Sequence, residues 1–596
     1  MTALTRREVV VVFALSVLVA AFFVLDAAVH HALGIPRNDD WSYYFSTFSL
    51  ASTHHYHLSG WDESSLILQS FLAWPLVSLF GAHFAPLQIM VAAIGAIGLT
   101  LTYLLLRRFL QPRGATFSLV VVALGPLFGS LSTSFMTDVP AYAAAMGTLY
   151  AGTRALRGKM RDLWFTLAAL LGVGAFMIRQ VGAVALLAVV VSVFILRPKA
   201  ERLVVGAIGV GAFALVWGYN HWQSQLTNAK NLRLDLSVSF LHSRVGWDVN
   251  LLFTLCLMAG PALVAWATST PWRRAWAIAP KTLSTLVATV ALVLVWYRPS
   301  PSGNYFTPLG AYSNTVLGHP PVLFSTLLWD LIRLFGWACT LQMSVVALNG
   351  VLMAPDILHR ARNTDRAGGI TVIATFLVFF VGAELAYVLI VPQFFFDRYL
   401  LPAIPLAAGL AWASIESMTH ERAPRARRAA PGTLTRATRA LPLVVLVLFS
   451  ALGVIVVDDA ATLDGAEWHF DTLIVATGIP ATRLDGGFDW YASLQGIPAF
   501  PGGGIRKPFW LGLFPNHTTC EEIGYPSALP PGETPLATYV AHGLAGETVT
   551  LVAYKIGIGP HVKGMCPPLW ASHHQIVTRP SGASHSPSPS TTLKAS

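Results

Sequence analysis

Charge is what this 596-residue chain has least of: Asp, Glu, Lys and Arg make up 11% of it, against 54% hydrophobic residues. So little charge cannot maintain a water-facing surface along the whole length. The uncharged runs of about 20 residues have the length of helix that crosses a hydrocarbon layer. The composition therefore excludes an ordinary soluble fold and predicts an all-α polytopic membrane protein. Cysteine is also scarce, with four residues in all. Cys256 and Cys339 fall in apolar runs and are expected as buried thiols, whereas Cys520 and Cys566 share a polar C-terminal segment and are expected to form a disulfide in an oxidising compartment. No internal repeat, Walker loop, GxSxG elbow or dinucleotide fingerprint occurs. The missing phosphate-cradling glycine loop argues against an ATP-driven pump.

The net charge of +10 does not point to nucleic acid, because the basic residues form short clusters between apolar runs rather than one soluble face. They are better read as orientation signals. Arg6 and Arg7 precede a first span at about Val9 to Ala28. Further clusters follow at Arg107/Arg108/Arg113, Arg154/Arg157/Lys159/Arg161, Arg197/Lys199/Arg202, Arg273/Arg274 and Arg360/Arg362/Arg366, and then in the run from Arg422 to Arg439. Each comes after an even number of crossings. A last span, Leu441 to Val457, gives about thirteen helices, with the N terminus cytoplasmic and the C terminus extracytoplasmic. Reading the first span as a cleaved signal peptide would leave the count even, so it is kept as a membrane helix.

With this topology the loops on the far side hold most of the acids, aromatics, prolines and glycines. The first contains "PRNDDWSYYF", with Asp39 and Asp40 adjacent near the end of an apolar run. Neighbouring carboxylates repel and resist desolvation, so such a pair calls for a chemical reason. "SFMTDVPAY" puts Asp138 at a helix junction, where Thr137 or Asp138 could simply cap the helix. "MIRQV" puts Arg179 and Gln180 at a far-side boundary against the orientation bias, and "FFFDRYLLPAIPL" does the same for Arg398, with Asp397 beside it as a local partner. A guanidinium in such a place presents a forked donor set that suits phosphate oxygens. His54, His55 and His57, with Asp39, Asp40, Asp62 and Glu63, offer a divalent-metal alternative, although no HExxH-type helical spacing supports it.

The C-terminal part changes character. "AEWHFDTLIVATG" reads as an amphipathic helix ending near Gly478, an extended piece starts at Arg483, and "ETVTLVAYKIGIG" alternates like a strand. The expected division is a membrane domain over 1–460, a small extracytoplasmic α/β domain over 461–578 and a Ser/Pro-rich disordered tail over 579–596.

Together, Asp39-Asp40 in the first far-side loop, "TDVP", "RQ" and "DRYLLPAIP" resemble the GT-C glycosyltransferases. The nearest branch is the family-39-like group of protein O-mannosyltransferases and the lipid A aminoarabinose transferase, over roughly residues 5 to 460. The Lys-Pro-Pro-like element frequent in that group's first loop is replaced here by "WDESSLILQSFLAWP", which leaves sugar and acceptor open. The resemblance implies a sugar donor on polyprenyl phosphate, used at the outer face of what is expected to be a bacterial cytoplasmic membrane. The acceptor would be a glycan, lipid or protein, and no cofactor would be required. It implies Asp39 as the base for the acceptor hydroxyl, with Asp40 next in line. Arg179 and Arg398, then Lys230 and Arg244, would face the leaving phosphate, and Asp138 with Gln180 would line the substrate site. The rival reading is a transporter or flippase of lipid-linked sugars. It would need ionisable residues deep within the spans, of which Glu384 is the clearest.

Overall fold

A computed structural model describes residues 4–61, 65–226, 234–269, 280–301, 303–310, 323–391, 396–422, 433–495, 519–544 and 546–558. Lys230, Cys566, Asp62, Glu63 and the Ser/Pro-rich tail lie outside the described residues. The helices are α1 (Arg6–Val29), α2 (Asp40–Thr53), α3 (Ile67–Phe80), α4 (Phe84–Leu106), α5 (Pro112–Ala123), α6 (Phe128–Ser132), α7 (Asp138–Ala155), α8 (Arg161–Ile178), α9 (Val181–Leu196) and α10 (Arg202–Gln223). They continue as α11 (Val238–Met258), α12 (Gly260–Ser269), α13 (Pro280–Tyr297), α14 (Thr326–Ala361), α15 (Asp365–Ile390), α16 (Ile404–Arg422), α17 (Thr433–Ala476) and α18 (Gly487–Gln495).

Local chemistry accounts for these elements. Thr5 caps α1 by accepting from Glu8 N at 3.1 Å, and the Val, Leu, Phe and Ala that follow run without a glycine or proline until the helix ends. Among the described residues seven helices, α1, α4, α8, α10, α14, α15 and α17, are long and apolar enough to cross a membrane. α11 and α12 form a pair bent by 67°, and shorter apolar helices occur at α3, α5, α9, and within α13 and α16. Leu25 on α1 is 64% exposed and Leu203 on α10 is 84% exposed, which a bundle tolerates where lipid is the solvent. α7 is the opposite case: buried on nearly every side at the centre, it needs little hydrophobicity of its own. Small residues bring its neighbours close. Gly98 of α4 lies against Ala143, where an added Cβ would be a tight fit, and Gly172 of α8 lies against Leu186, too near for one.

The two ends of the bundle differ in charge. At one end Glu8 pairs with Arg107 at 2.6 Å, Asp365 with Arg108 at 3.3 Å and Arg157 at 3.4 Å, and Glu416 with Arg366 at 3.4 Å. Arg107, Arg108, Arg157 and Arg366, from three of the basic clusters, are thereby gathered into one layer. The helix ends at Val29, Ile178 and Ile390 and the start of α7 are at the other end. There α3 is not a crossing: Leu66 N donates to Ile178 O at 3.0 Å and α4 starts beside Gly34, whose N donates to Gln88 Oε1 at 2.7 Å. Both ends of α3 thus belong to one end of the bundle, and the helix lies across it.

α17 departs from expectation. In place of a span and a separate amphipathic helix it is one helix of 44 residues, about 66 Å long at 1.5 Å per residue. That is about twice a bilayer core, so the chain has no break at the expected boundary near 460. Its final turns and α18 pack on a sheet of β1 (Leu484–Asp485), β2 (Thr519–Gly524), β3 (Ala537–His542) and β4 (Thr548–Ile558), in the order β1-β2-β4-β3. β1 is parallel to β2 and the other pairs are antiparallel. Leu463, Phe470, Ile474, Trp490, Ile523 and Leu551 form its core. Cys520 on β2 is disulfide-bonded, and Cys256 and Cys339 are buried free thiols.

Candidate active site

The chain reaches Asp39 through a segment held on both sides. Arg37, fully buried, donates from Nε to Asp464 Oδ2 at 2.5 Å and from Nη1 to Thr133 Oγ1 at 2.8 Å. Asn38 is in the left-handed region, φ 58°, which asparagine tolerates better than most residues. Its N donates to Asp489 Oδ2 at 2.7 Å and its Nδ2 to Tyr305 Oη at 3.1 Å. Asp39 precedes α2 without capping it. Its carboxylate instead accepts from Trp61 Nε1 on Oδ1 and from Arg398 Nη2 on Oδ2, both at 2.8 Å.

Asp40 is handled differently. Its Oδ1 accepts from Arg37 N at 2.6 Å and its Oδ2 from Phe135 N at 3.0 Å, and the side chain is fully buried. Burial outweighs those two bonds and pushes its pKa up to about 8. The acidic pair therefore splits: Asp40 stitches the first loop to the turn before α7, and Asp39 faces Arg398.

Arg398 and Arg179 line the same space. Arg179 caps the end of α8 in extended conformation, donates from Nη1 to Thr137 Oγ1 at 3.0 Å, pairs with Asp138 Oδ1 at 3.3 Å, and lies 4.5 Å over the Tyr399 ring. Thr137 thus serves the arginine and makes no side-chain cap of α7. Buried Tyr43, one turn after Asp39 on α2, faces Asp39, Arg179, Arg398 and Asp138; burial, with Asp39 and Asp138 adding to it, raises its pKa against the pull of the two arginines. Asp39 and Asp138 hold the Arg398 guanidinium well above its ordinary pKa. Among the described residues, Arg398 Nε and Nη1 and Asp138 Oδ2 are buried without a hydrogen-bond partner. The geometry thus leaves two cationic donors and one acceptor ready for a ligand.

Asp397, expected beside Arg398 as its partner, turns the other way. It accepts from the backbone N–H groups of Asn304, Tyr305 and Phe306 at 2.9 to 3.3 Å and from Arg398 N at 2.9 Å. Burial pushes its pKa up to about 6. Neighbours in a 3-10 turn diverge, so Arg398 finds its carboxylate 359 residues away in Asp39. Arg244 is not brought into this cluster: its Nε and Nη2 donate to Val388 O and Val391 O at 2.9 and 3.2 Å, fastening the end of α15. Gln180 is exposed beyond Arg179. His54, His55 and His57 are exposed and, among the described residues, do not converge with acids. Tyr43, Trp61 and Tyr399 are site residues that motif reading passed over, although Asp39 and Tyr43 share a helical i, i+4 spacing that could have linked them.

A helical bundle with one basic end and a buried acid and arginine cluster at the other is a polytopic membrane protein with a polar site at the edge of its apolar layer. Within it, residues 65–219, from α3 through α10, match the family model described as dolichyl-phosphate-mannose-protein mannosyltransferase. This is the mannosyltransferase branch of the GT-C group that the motifs resemble. Among solved structures, the chain is similar to ArnT from Cupriavidus metallidurans bound to undecaprenyl phosphate, with 13% identity, a TM-score of 0.42, and 92% of this chain and 98% of that one covered. It is also similar to the archaeal oligosaccharyltransferase AglB from Archaeoglobus fulgidus in complex with an inhibitory peptide and a dolichol-phosphate, with 13% identity, a TM-score of 0.41 and 77% of this chain covered. The chain spans 57% of that archaeal enzyme's length. No curated protein matches it in sequence.

Proposed function

We propose that this protein is a membrane glycosyltransferase that moves a sugar from a polyprenyl-phosphate donor to an acceptor hydroxyl at the extracytoplasmic face, with Asp39 as base. The observation that carries this reading is the Asp39–Arg398 pair at 2.8 Å, beside Arg179 and Asp138 and with two Arg398 donors unspent among the described residues. The family match over 65–219 supports a phosphate-linked sugar as donor. A donor phosphate entering the site meets those free donors and competes with Asp39 for the guanidinium, which releases the carboxylate toward the acceptor. Asp39 takes the acceptor's O–H proton while the oxygen forms a bond to the anomeric carbon. The bond from that carbon to the phosphate oxygen breaks and its electron pair leaves on the phosphate, where Arg398 and Arg179 stabilise the charge. Asp138, through its free Oδ2, accepts a hydroxyl of sugar or acceptor. Asp40 has both oxygens committed to backbone N–H groups, which favours Asp39 for the proton.

A transporter would place its ionisable groups near the middle of the spans. Glu384, the acid on which that reading leaned, is only six residues from the end of α15 and interacts with Arg179, so it belongs to the same edge site. The test is turnover: purified protein incubated with a series of synthetic polyprenyl-phosphate sugars should release polyprenyl phosphate in the presence of an acceptor. Movement of donor between leaflets of a proteoliposome without any glycosidic product would establish the transporter instead.

A further inference from the structure

A second cluster, at the same end of the bundle, has no part in the reaction above. Asp26 and His30 are four residues apart at the end of α1 and point to one side, and Asp458 reaches them from α17. His30 Nε2 is 2.9 Å from Asp458 Oδ1 and 3.7 Å from Asp26 Oδ1. The ligand atoms of all three residues lie within 4.8 Å of one another. A third carboxylate comes from the turn between β3 and β4, where Glu547 Oε1 and Asp458 Oδ2 both occupy the space that a Cβ on Gly543 would need.

These groups do not balance one another. Three carboxylates face one imidazole, so even a protonated His30 leaves an excess of negative charge where Asp26 and Asp458 are nearly enclosed. Asp26 Oδ1 and both Glu547 oxygens are buried with no hydrogen-bond partner among the described residues. Because Asp26 is 95% buried, at 5% exposure, water is a poor substitute for a partner. The second ring nitrogen of His30, Nδ1, is 3.3 Å from Thr462 Oγ1. That contact fixes the ring with Nε2 toward the carboxylates, as a supporting residue does behind a metal-bound histidine.

We propose that Asp26, His30 and Asp458, closed by Glu547, bind one divalent transition-metal ion of the zinc or manganese kind. One imidazole with three carboxylates suits such an ion, whereas calcium would take six to eight oxygen ligands. The ion joins α1, α17 and the β3–β4 turn, and so fastens the sheet to the helices. It also replaces the histidines at 54, 55 and 57 as the place where this chain holds metal.

Untagged full-length protein in detergent, stripped with a chelator and titrated with Zn²⁺ or Mn²⁺, provides the test. Elemental analysis should find about one ion per chain, and the ion should raise the thermal midpoint. Thr462→Val should keep the fold and weaken binding by about 10- to 100-fold, the usual cost of losing an outer-shell partner. His30→Ala should abolish binding, and a His54→Ala/His55→Ala variant should bind as the parent does. Failure of the parent chain to retain an ion, or parental affinity in His30→Ala, would overturn the proposal. Should His30→Ala not fold, Glu547→Gln in the turn takes its place, and unchanged affinity there counts against the site.

Discussion

Replacing Asp39 by Asn separates chemistry from scaffolding at this site. The amide keeps an oxygen for Trp61 Nε1, now 2.8 Å from Asp39 Oδ1, but it sets an NH2 against Arg398 Nη2, where the carboxylate oxygen now lies at 2.8 Å. The Asp39 and Arg398 side chains are 15% and 5% exposed, so solvent screens this change poorly. Breaking a buried pair by removing one charge costs about 3–5 kcal/mol. The loss here should fall at the low end, because Asp138 also acts on Arg398 and the guanidinium lies over the Phe396 and Tyr399 rings. The rate should suffer more. A positioned base contributes about 10²–10⁴-fold, so turnover of a defined polyprenyl-phosphate sugar by the folded fraction, isolated by size exclusion, should fall by that factor in Asp39→Asn. Asp40→Asn should do the reverse. An amide offers one acceptor to two backbone N–H groups, costing about 1–3 kcal/mol of stability, while the folded fraction keeps its rate within about tenfold. Near-parental turnover in Asp39→Asn, alongside loss of turnover in well-folded Asp40→Asn, would move the base to Asp40. Activity surviving in both would remove the catalytic role of this loop.

Other outcomes follow from the same geometry. Arg179→Lys keeps a charge beside Asp138 but loses the planar guanidinium, whose Nη1 serves both Thr137 and Asp138 and which lies over the Tyr399 ring, so KM for the lipid donor should rise and kcat should fall, as steady-state kinetics would show. The pKa of Asp40 is raised on folding, from 3.8 to about 8; its stabilising contribution is complete below pH 4 and is lost as pH rises through 8. The thermal midpoint should therefore decline by several degrees between pH 5 and pH 8, and Asp40→Asn should flatten that decline, as scanning fluorimetry would register. Asp471 is fully buried with neither carboxylate oxygen hydrogen-bonded among the described residues, and it faces Asp485. Asp471→Asn should raise the thermal midpoint, by an amount equivalent to about 1 kcal/mol, because it removes an unpaired acid from a desolvated cluster; a lower midpoint would contradict this.

Much of the molecule was determined by sequence alone, because hydrophobic length and charge placement act locally. An apolar run of sufficient length must be a helix in lipid, and among the described residues three of the basic clusters between such runs meet in one layer, where Glu8, Asp365 and Glu416 pair with them. The strand β4 was equally legible, since alternating β-branched residues have one stable arrangement on a sheet. Asp39, Asp138, Arg179 and Arg398 were each picked out by residue type and sidedness. Which of them meet was decided by tertiary structure. Nothing local tells Asp39 from Asp40; the difference is that Phe135 N, 95 residues away, takes an oxygen of one and leaves the other for Arg398. Nor could local pattern show that Asp397 belongs to the 304–306 backbone, that α17 passes unbroken through the expected boundary, or that His30 and not His54 meets buried acids. Each of these depends on what lies opposite a side chain after the helices pack, and partners hundreds of residues apart leave no periodicity in the sequence to read.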